Sequence, residues 1–146
     1  MLTSEEHRLL DYVCKTWAET HAKASLAVFA MLALRMQPQW AGELQQSLRE
    51  MTGDAFQPDL QTLHRMLRRL DRLGLVICAR YEHRGPGAAR KVFALTEVGD
   101  AALNLHLSRS WGHLTSRPFL VAWQKAATTN LPECQCCRGP LRHAAD

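Results

Sequence analysis

The sequence predicts a mainly α-helical chain with one small β-hairpin, laid out as a winged helix-turn-helix with additional helices at both ends. Three observations carry that prediction. Apolar residues recur at helical spacing through four segments before residue 74. Two short strand-like runs, VICARYE and RKVFAL, follow, separated by the turn sequence HRGPGAA. Positive charge is focused: residues 1–55 carry a net −2, residues 56–91 a net +5 and residues 92–146 a net +1. A focused basic block is the footprint expected of a polyanion binder.

The elements follow in order. Residues 4–22 read as a first helix, with Ser4 as its N-cap and Glu5 and Glu6 where the helix dipole favours anions. Leu9, Leu10, Val13 and Trp17 form its apolar stripe. Residues 25–35 read as a separate short helix, apolar nearly all round and ended by Gln37-Pro38. Residues 41–52 form a third helix, with Leu44, Leu48 and Met51 on one face and Gly53 as its stop. Residues 58–73 form a fourth, with Pro58 in its first turn and Asp59 at its positive end. Leu60, Leu63, Leu67, Leu70 and Leu73 face inward there, with Met66 beside them, and Gly74 closes the helix. After the hairpin, Thr96 caps a helix running to Trp111, Pro118 breaks it, and residues 119–129 add one more. The expected organisation is an extra helix over 1–24, a winged helix-turn-helix over 25–95, dimerisation helices over 96–129 and a cysteine-containing flexible tail over 130–146.

Composition narrows the class. The 146 residues suit one domain with a short appendage, and 47% hydrophobic with 22% charged residues is enough to bury a core. No apolar run reaches the roughly 20 residues that span a bilayer, and the acidic N-terminus has no apolar segment of secretory type. Five cysteines, three of them within four residues, do not form a disulfide framework. The expectation is a cytoplasmic protein with reduced thiols. No nucleophile elbow, phosphate-binding loop, zinc-protease or dinucleotide fingerprint is present, and no carboxylates are paired for acid–base work. The reading is therefore not an enzyme and needs no cofactor.

The helix over 58–73 has the form of a recognition helix. Its inner stripe packs, and its outer stripe offers Gln61, Thr62, His64 and Arg65 to base edges in a major groove. Arg68, Arg69 and Arg72 follow, better placed for phosphates. An ordinary solvated amphipathic helix would carry similar charges. The adjacent hairpin favours DNA over that alternative, because Arg84, Arg90 and Lys91 surround a glycine-containing tip that also holds His83. On this reading Arg90→Ala flattens the salt dependence of binding by about one unit.

These residues resemble the PadR-like family of bacterial transcriptional regulators. The resemblance rests on Leu63, Arg68-Arg69-Leu70, Gly74-Leu75, Gly85-Pro86-Gly87, Arg90-Lys91, Phe93, Leu95-Thr96 and Gly99, with Phe56, Pro58 and Thr62 upstream. It spans roughly residues 26–107. The chain departs from the family pattern at His64, where tyrosine is usual, at Arg65, often proline, and at Trp40-Ala41-Gly42, where His-Gly-Tyr is common. The resemblance implies a homodimer that binds double-stranded DNA at a palindromic operator, acting as a repressor. It also implies that a small aromatic effector is a candidate ligand, with Trp17, Trp111 and Trp123 available to line a cleft; the effector's identity is unknown. Independently, Val98, Ala101, Ala102, Leu105 and Trp111 offer an apolar face that a small winged core does not need, and this is the expected dimer interface.

Two other readings stand beside this one. The basic face could dock an acidic protein partner, since fold does not fix function. Alternatively Cys134, Cys136 and Cys137, with His143, could sense thiol oxidation or a metal, although their spacing is not that of structural zinc sites. Cys14 and Cys78 lie in apolar-patterned segments and are expected to be buried and unreactive.

Overall fold

The computed structural model describes residues 3–127. Its elements are α1 (Ser4–Met36), β1 (Gln39–Trp40), α2 (Ala41–Met51), α3 (Leu60–Arg72), β2 (Val76–Glu82), β3 (Arg90–Leu95), α4 (Glu97–His106), a π-helical turn (Leu107–Trp111), a 3₁₀ turn (Gly112–Thr115) and α5 (Arg117–Ala127). They divide into two compact units. Among the described residues, one holds Ser25–Trp111, and the other holds those up to Ala24 together with those from Gly112.

The Ser25–Trp111 unit is the winged helix-turn-helix. Its core gathers the C-terminal half of α1 (Val28, Ala30, Met31, Ala33, Leu34), the inner faces of α2 (Leu44, Leu48) and α3 (Leu63, Leu67, Leu70), Val76 and Phe93 from the strands, and Leu103 of α4. Leu44, Leu48, Leu63 and Leu67 are fully buried. The inner stripe of α3 is shorter than the sequence predicts, because Leu60 and Leu73, at and just beyond its ends, are exposed. Arg35 joins α1 to α4, donating from Nε to Asp100 at 2.7 Å and from Nη2 to Asn104 at 2.8 Å.

The sheet is three-stranded and antiparallel, in the order β1-β3-β2. The third strand is an addition to the expected hairpin. Gln39 and Trp40 pair with Phe93 and Val92, so the segment entering α2 is laced to the inner strand of the wing. The buried Gln39 side chain accepts a hydrogen bond from Ser47 at 3.0 Å. A bulge between Cys78 and Arg80 interrupts β2.

Several boundaries differ from the sequence reading, each for a local reason. The two expected N-terminal helices are one 33-residue helix, since nothing between residues 22 and 25 is glycine or proline. Thr3, not Ser4, caps it. Thr3 Oγ1 accepts from the Glu6 N–H at 3.2 Å, and the Glu6 carboxylate accepts from the Thr3 N–H at 2.7 Å, a reciprocal capping box. That backbone donation, with the Thr3 hydroxyl contact, holds the Glu6 carboxyl below the usual carboxylate range. The helix from Thr96 leaves α geometry after His106, and the indole N–H of Trp111 donates to His106 Nε2 at 3.2 Å across the π turn. Pro118 lies in the first turn of α5, where a missing N–H costs nothing, and Ser116 Oγ accepts the Phe119 N–H.

The other unit has a different character. Among its described residues no side chain is buried. Trp17 is 72% exposed and Trp123 65%, and Leu9, Tyr12, Leu120 and Val121 are exposed as well. Phe119 stacks on Trp123 and meets His113 edge-on. Among the described residues no helix is long and apolar enough to cross a membrane.

Candidate nucleic-acid interface

α3 begins where the sequence permits only one good start. Asp59 is its N-cap: one carboxylate oxygen accepts the Thr62 N–H at 2.7 Å and the other the Thr62 hydroxyl at 2.9 Å. The donation from the Thr62 backbone, then from its hydroxyl, holds the Asp59 carboxyl below the usual range. Pro58 therefore precedes the cap instead of lying in the first turn, and its carbonyl accepts from Gln45 Nε2 at 2.7 Å, tying the loop to α2. At the other end Gly74 takes a φ of +73°, and the Gly74 and Leu75 N–H groups cap the last carbonyls of α3.

This start fixes the faces. Leu63, Leu67 and Leu70 point into the core, so Gln61, His64, Arg65, Arg68, Arg69 and Arg72 are all exposed. Arg68 and Arg72 each lay their Nε on the carbonyl four residues back, at 3.3 and 3.4 Å, so their guanidinium groups run along the helix surface. Arg65, Arg68, Asp71 and Arg72 line a shallow open groove on this face. Thr62 differs from its expected partners: it is half-buried and its hydroxyl proton is committed to the cap.

The wing cations fall into distinct environments. Lys91 is exposed on β3 opposite Tyr81. Arg84, at the tip, lies 3.9 Å from Glu43 in the first turn of α2. Arg90 is half-buried, with its guanidinium carbon 4.1 Å from the centroid of the Trp40 ring. Arg80 forms a two-nitrogen contact with Glu82 at 2.8 and 3.0 Å. Gly85 adopts φ +78° at the tip, which a β-carbon would strain. The sequence reading did not single out Trp40 or Glu43 as partners of the wing. The signal that could have found them is an aromatic and an acid flanking the start of α2, in register with the basic inner strand.

The residues expected at a dimer interface are placed unevenly. Val98, Ala101 and Leu105 are exposed on α4, and Ala102 is half-buried. Trp111 packs within its own chain, edge-on to Phe29 at 5.4 Å, and Phe29 in turn meets Phe56 at 5.0 Å. Cys14 and Cys78 are half-buried instead of buried, and the Cys78 Sγ donates to the Arg80 carbonyl at the bulge. Among the described residues no group of three metal-ligating side chains comes together. Cys134, Cys136, Cys137 and His143 lie outside the described residues.

Comparison with known proteins gives a consistent pattern. The model of the transcriptional regulator PadR-like family matches residues 30–105. Among solved structures, a PadR-like transcription factor from Bacteroides fragilis is similar at 26% identity and a TM-score of 0.56, over 70% of this chain and 95% of that one. A PadR family transcriptional regulator from Eggerthella lenta is similar at 21% identity and 0.61, over 84% and 99%. Bacillus subtilis PadR, solved in complex with operator DNA, is similar at 18% identity and 0.53, over 70% of this chain and 59% of that one. No curated protein matches the chain significantly.

Proposed function

The chain belongs to the PadR-like family of transcriptional regulators, and on that premise we propose that it is a cytoplasmic repressor that binds a palindromic DNA operator as a homodimer. The observation that carries this reading is the division of α3. One stripe is leucine sealed in the core, and the other exposes four arginines, Gln61 and His64 with one acid, Asp71, among them. A helix built this way presents hydrogen-bonding groups to base edges and guanidinium groups to phosphates at the same time. The similar B. subtilis protein carries operator DNA, which agrees with this use of the fold.

In the proposed complex Gln61, His64 and Arg65 read bases, while Arg68, Arg69, Arg72, Arg84 and Lys91 hold the backbone. Thr62 sets the start of the helix. The homodimer is supported by the apolar surface left open on single chains: Val98 and Leu105 on α4, and Trp17 and Trp123 in the other unit. Exposed tryptophans in a unit with no buried side chain among its described residues call for a partner surface. A two-fold pair places its two α3 helices about one DNA turn apart.

Gln61 gives a direct test. Gln61→Ala relaxes base preference at one position of each half-site and costs roughly 1–3 kcal/mol on the best site, read by selection from a random duplex pool. An unchanged site profile removes Gln61 from the base-reading set.

A further inference from the structure

Arg90 has a neighbour that a simple phosphate ligand would not need. Its guanidinium lies over the Trp40 ring, and Trp40 occupies a junction of three elements. It is the second residue of β1, paired with Val92 of the inner wing strand, and it is also the residue from which α2 starts. Its backbone N–H donates to the Glu43 carboxylate at 3.2 Å, and the same carboxylate group faces Arg84 of the wing tip.

Gly42 completes the arrangement. A β-carbon there would run into the far edge of the Trp40 indole, so the ring lies across bare backbone in the first turn of α2. The indole N–H is buried and, among the described residues, has no hydrogen-bond partner. Packing against Gly42 and the cation above it therefore hold the ring, not a hydrogen bond. A cation over a partly desolvated indole is the stronger form of such a contact. On the other side Arg90 is opposite Glu82, which is already engaged by Arg80.

We infer that Trp40, seated on Gly42, is a positioning residue for DNA binding: through Arg90 it fixes the wing against the start of α2, and Arg90 makes no phosphate contact. This inference rests on the DNA-binding reading. A wing held in place before binding has less freedom to lose on the duplex, so releasing it weakens binding without removing a charge contact. The slope of log affinity against log salt counts phosphate contacts and separates the two roles.

The test measures duplex affinity across a salt range for Trp40→Ala, Gly42→Ala, Arg90→Ala and the Trp40→Ala/Arg90→Ala double variant. Amide exchange of residues 76–95 is followed in the same proteins without DNA. Each single variant is expected to lose roughly two- to thirtyfold in affinity with an unchanged salt slope, and the double variant is no worse than its weaker parent. Gly42→Ala is the cleanest arm, since it evicts the ring while keeping both Trp40 and Arg90, and alanine suits a helix better than glycine. It becomes silent in the Trp40→Ala background. Trp40→Phe keeps a ring face for the cation and recovers most of the Trp40→Ala loss. Wing amides exchange faster in every variant that loses the contact. A salt slope lowered by about one in Arg90→Ala, with additive losses in the double variant, makes Arg90 a phosphate ligand and overturns the inference. Unchanged wing exchange in Gly42→Ala and Arg90→Ala also overturns it. If the unaltered protein binds no duplex, the DNA-binding reading and the role of Trp40 in it both fall, while exchange still reports whether the ring holds the wing.

Discussion

Replacing Arg68, Arg69 and Arg72 together with alanine lowers the slope of log affinity against log salt by about three units. Each guanidinium on the exposed stripe of α3 that meets a phosphate releases about one counterion, and all three side chains are exposed. Taking the variant and the unaltered protein to converge at about 1 M salt, the loss at 0.1 M is roughly 500-fold. The fold survives, because none of the three carries a core contact and alanine is a good helix former. Affinity titrations at four or five salt concentrations check this. A variant that keeps the full slope shows that α3 does not lie against the DNA backbone.

Leu63→Ala tests the other side of the same helix. Leu63 is fully buried, between half-buried Thr62 and exposed His64, and it packs in the cluster shared by α1, α2 and α3. Removing its side chain costs about 2–5 kcal/mol, the range for a buried leucine whose cavity collapses only in part. Against a whole-domain stability of about 5–15 kcal/mol, that is a large fraction. Urea unfolding reads it as a lower midpoint with unchanged m-value. DNA binding falls with the folded fraction, whereas His64→Ala, one residue on, leaves stability within about 0.5 kcal/mol. A cost below about 1 kcal/mol for Leu63→Ala places the inner stripe of α3 outside the core.

How much of this was legible in the sequence depends on the scale of the signal. The leucines of α2 and α3 recur at helical spacing over many residues, and the turn HRGPGAA separates two short strand-like runs, so the winged layout could be read directly. Short signals were harder. β1 is two residues long, and its pairing with β3 depends on a partner more than fifty residues away. The capping box of Thr3 and Glu6 was present as a T-x-x-E spacing, yet Ser4 beside it offered an equally plausible hydroxyl. The break expected between residues 22 and 25 came from a change in hydropathy, which marks a change in surroundings and not an end to the helix.

The candidate interface shows the same division. Exposure of Gln61, His64, Arg65, Arg68 and Arg69 follows from helical phase alone. The different situations of the wing cations do not. Nothing local distinguishes Arg90 from Lys91; only the sheet register puts one over Trp40 and leaves the other exposed. Likewise Thr62 carries a hydroxyl suited to base contact, but the cap formed with Asp59 takes its proton first. Trp111 reads as surface on α4, and the π turn folds it onto Phe29 instead.

The measurement that bears most directly on the central claim is selection of bound sequences from a random duplex pool, combined with a salt titration of the winning site. The proposal predicts an enriched palindrome with half-sites one helical turn apart, and affinity that falls steeply as salt rises. A folded protein that binds no duplex at low salt contradicts it, and the basic face of α3 and the wing then belongs to an acidic protein partner.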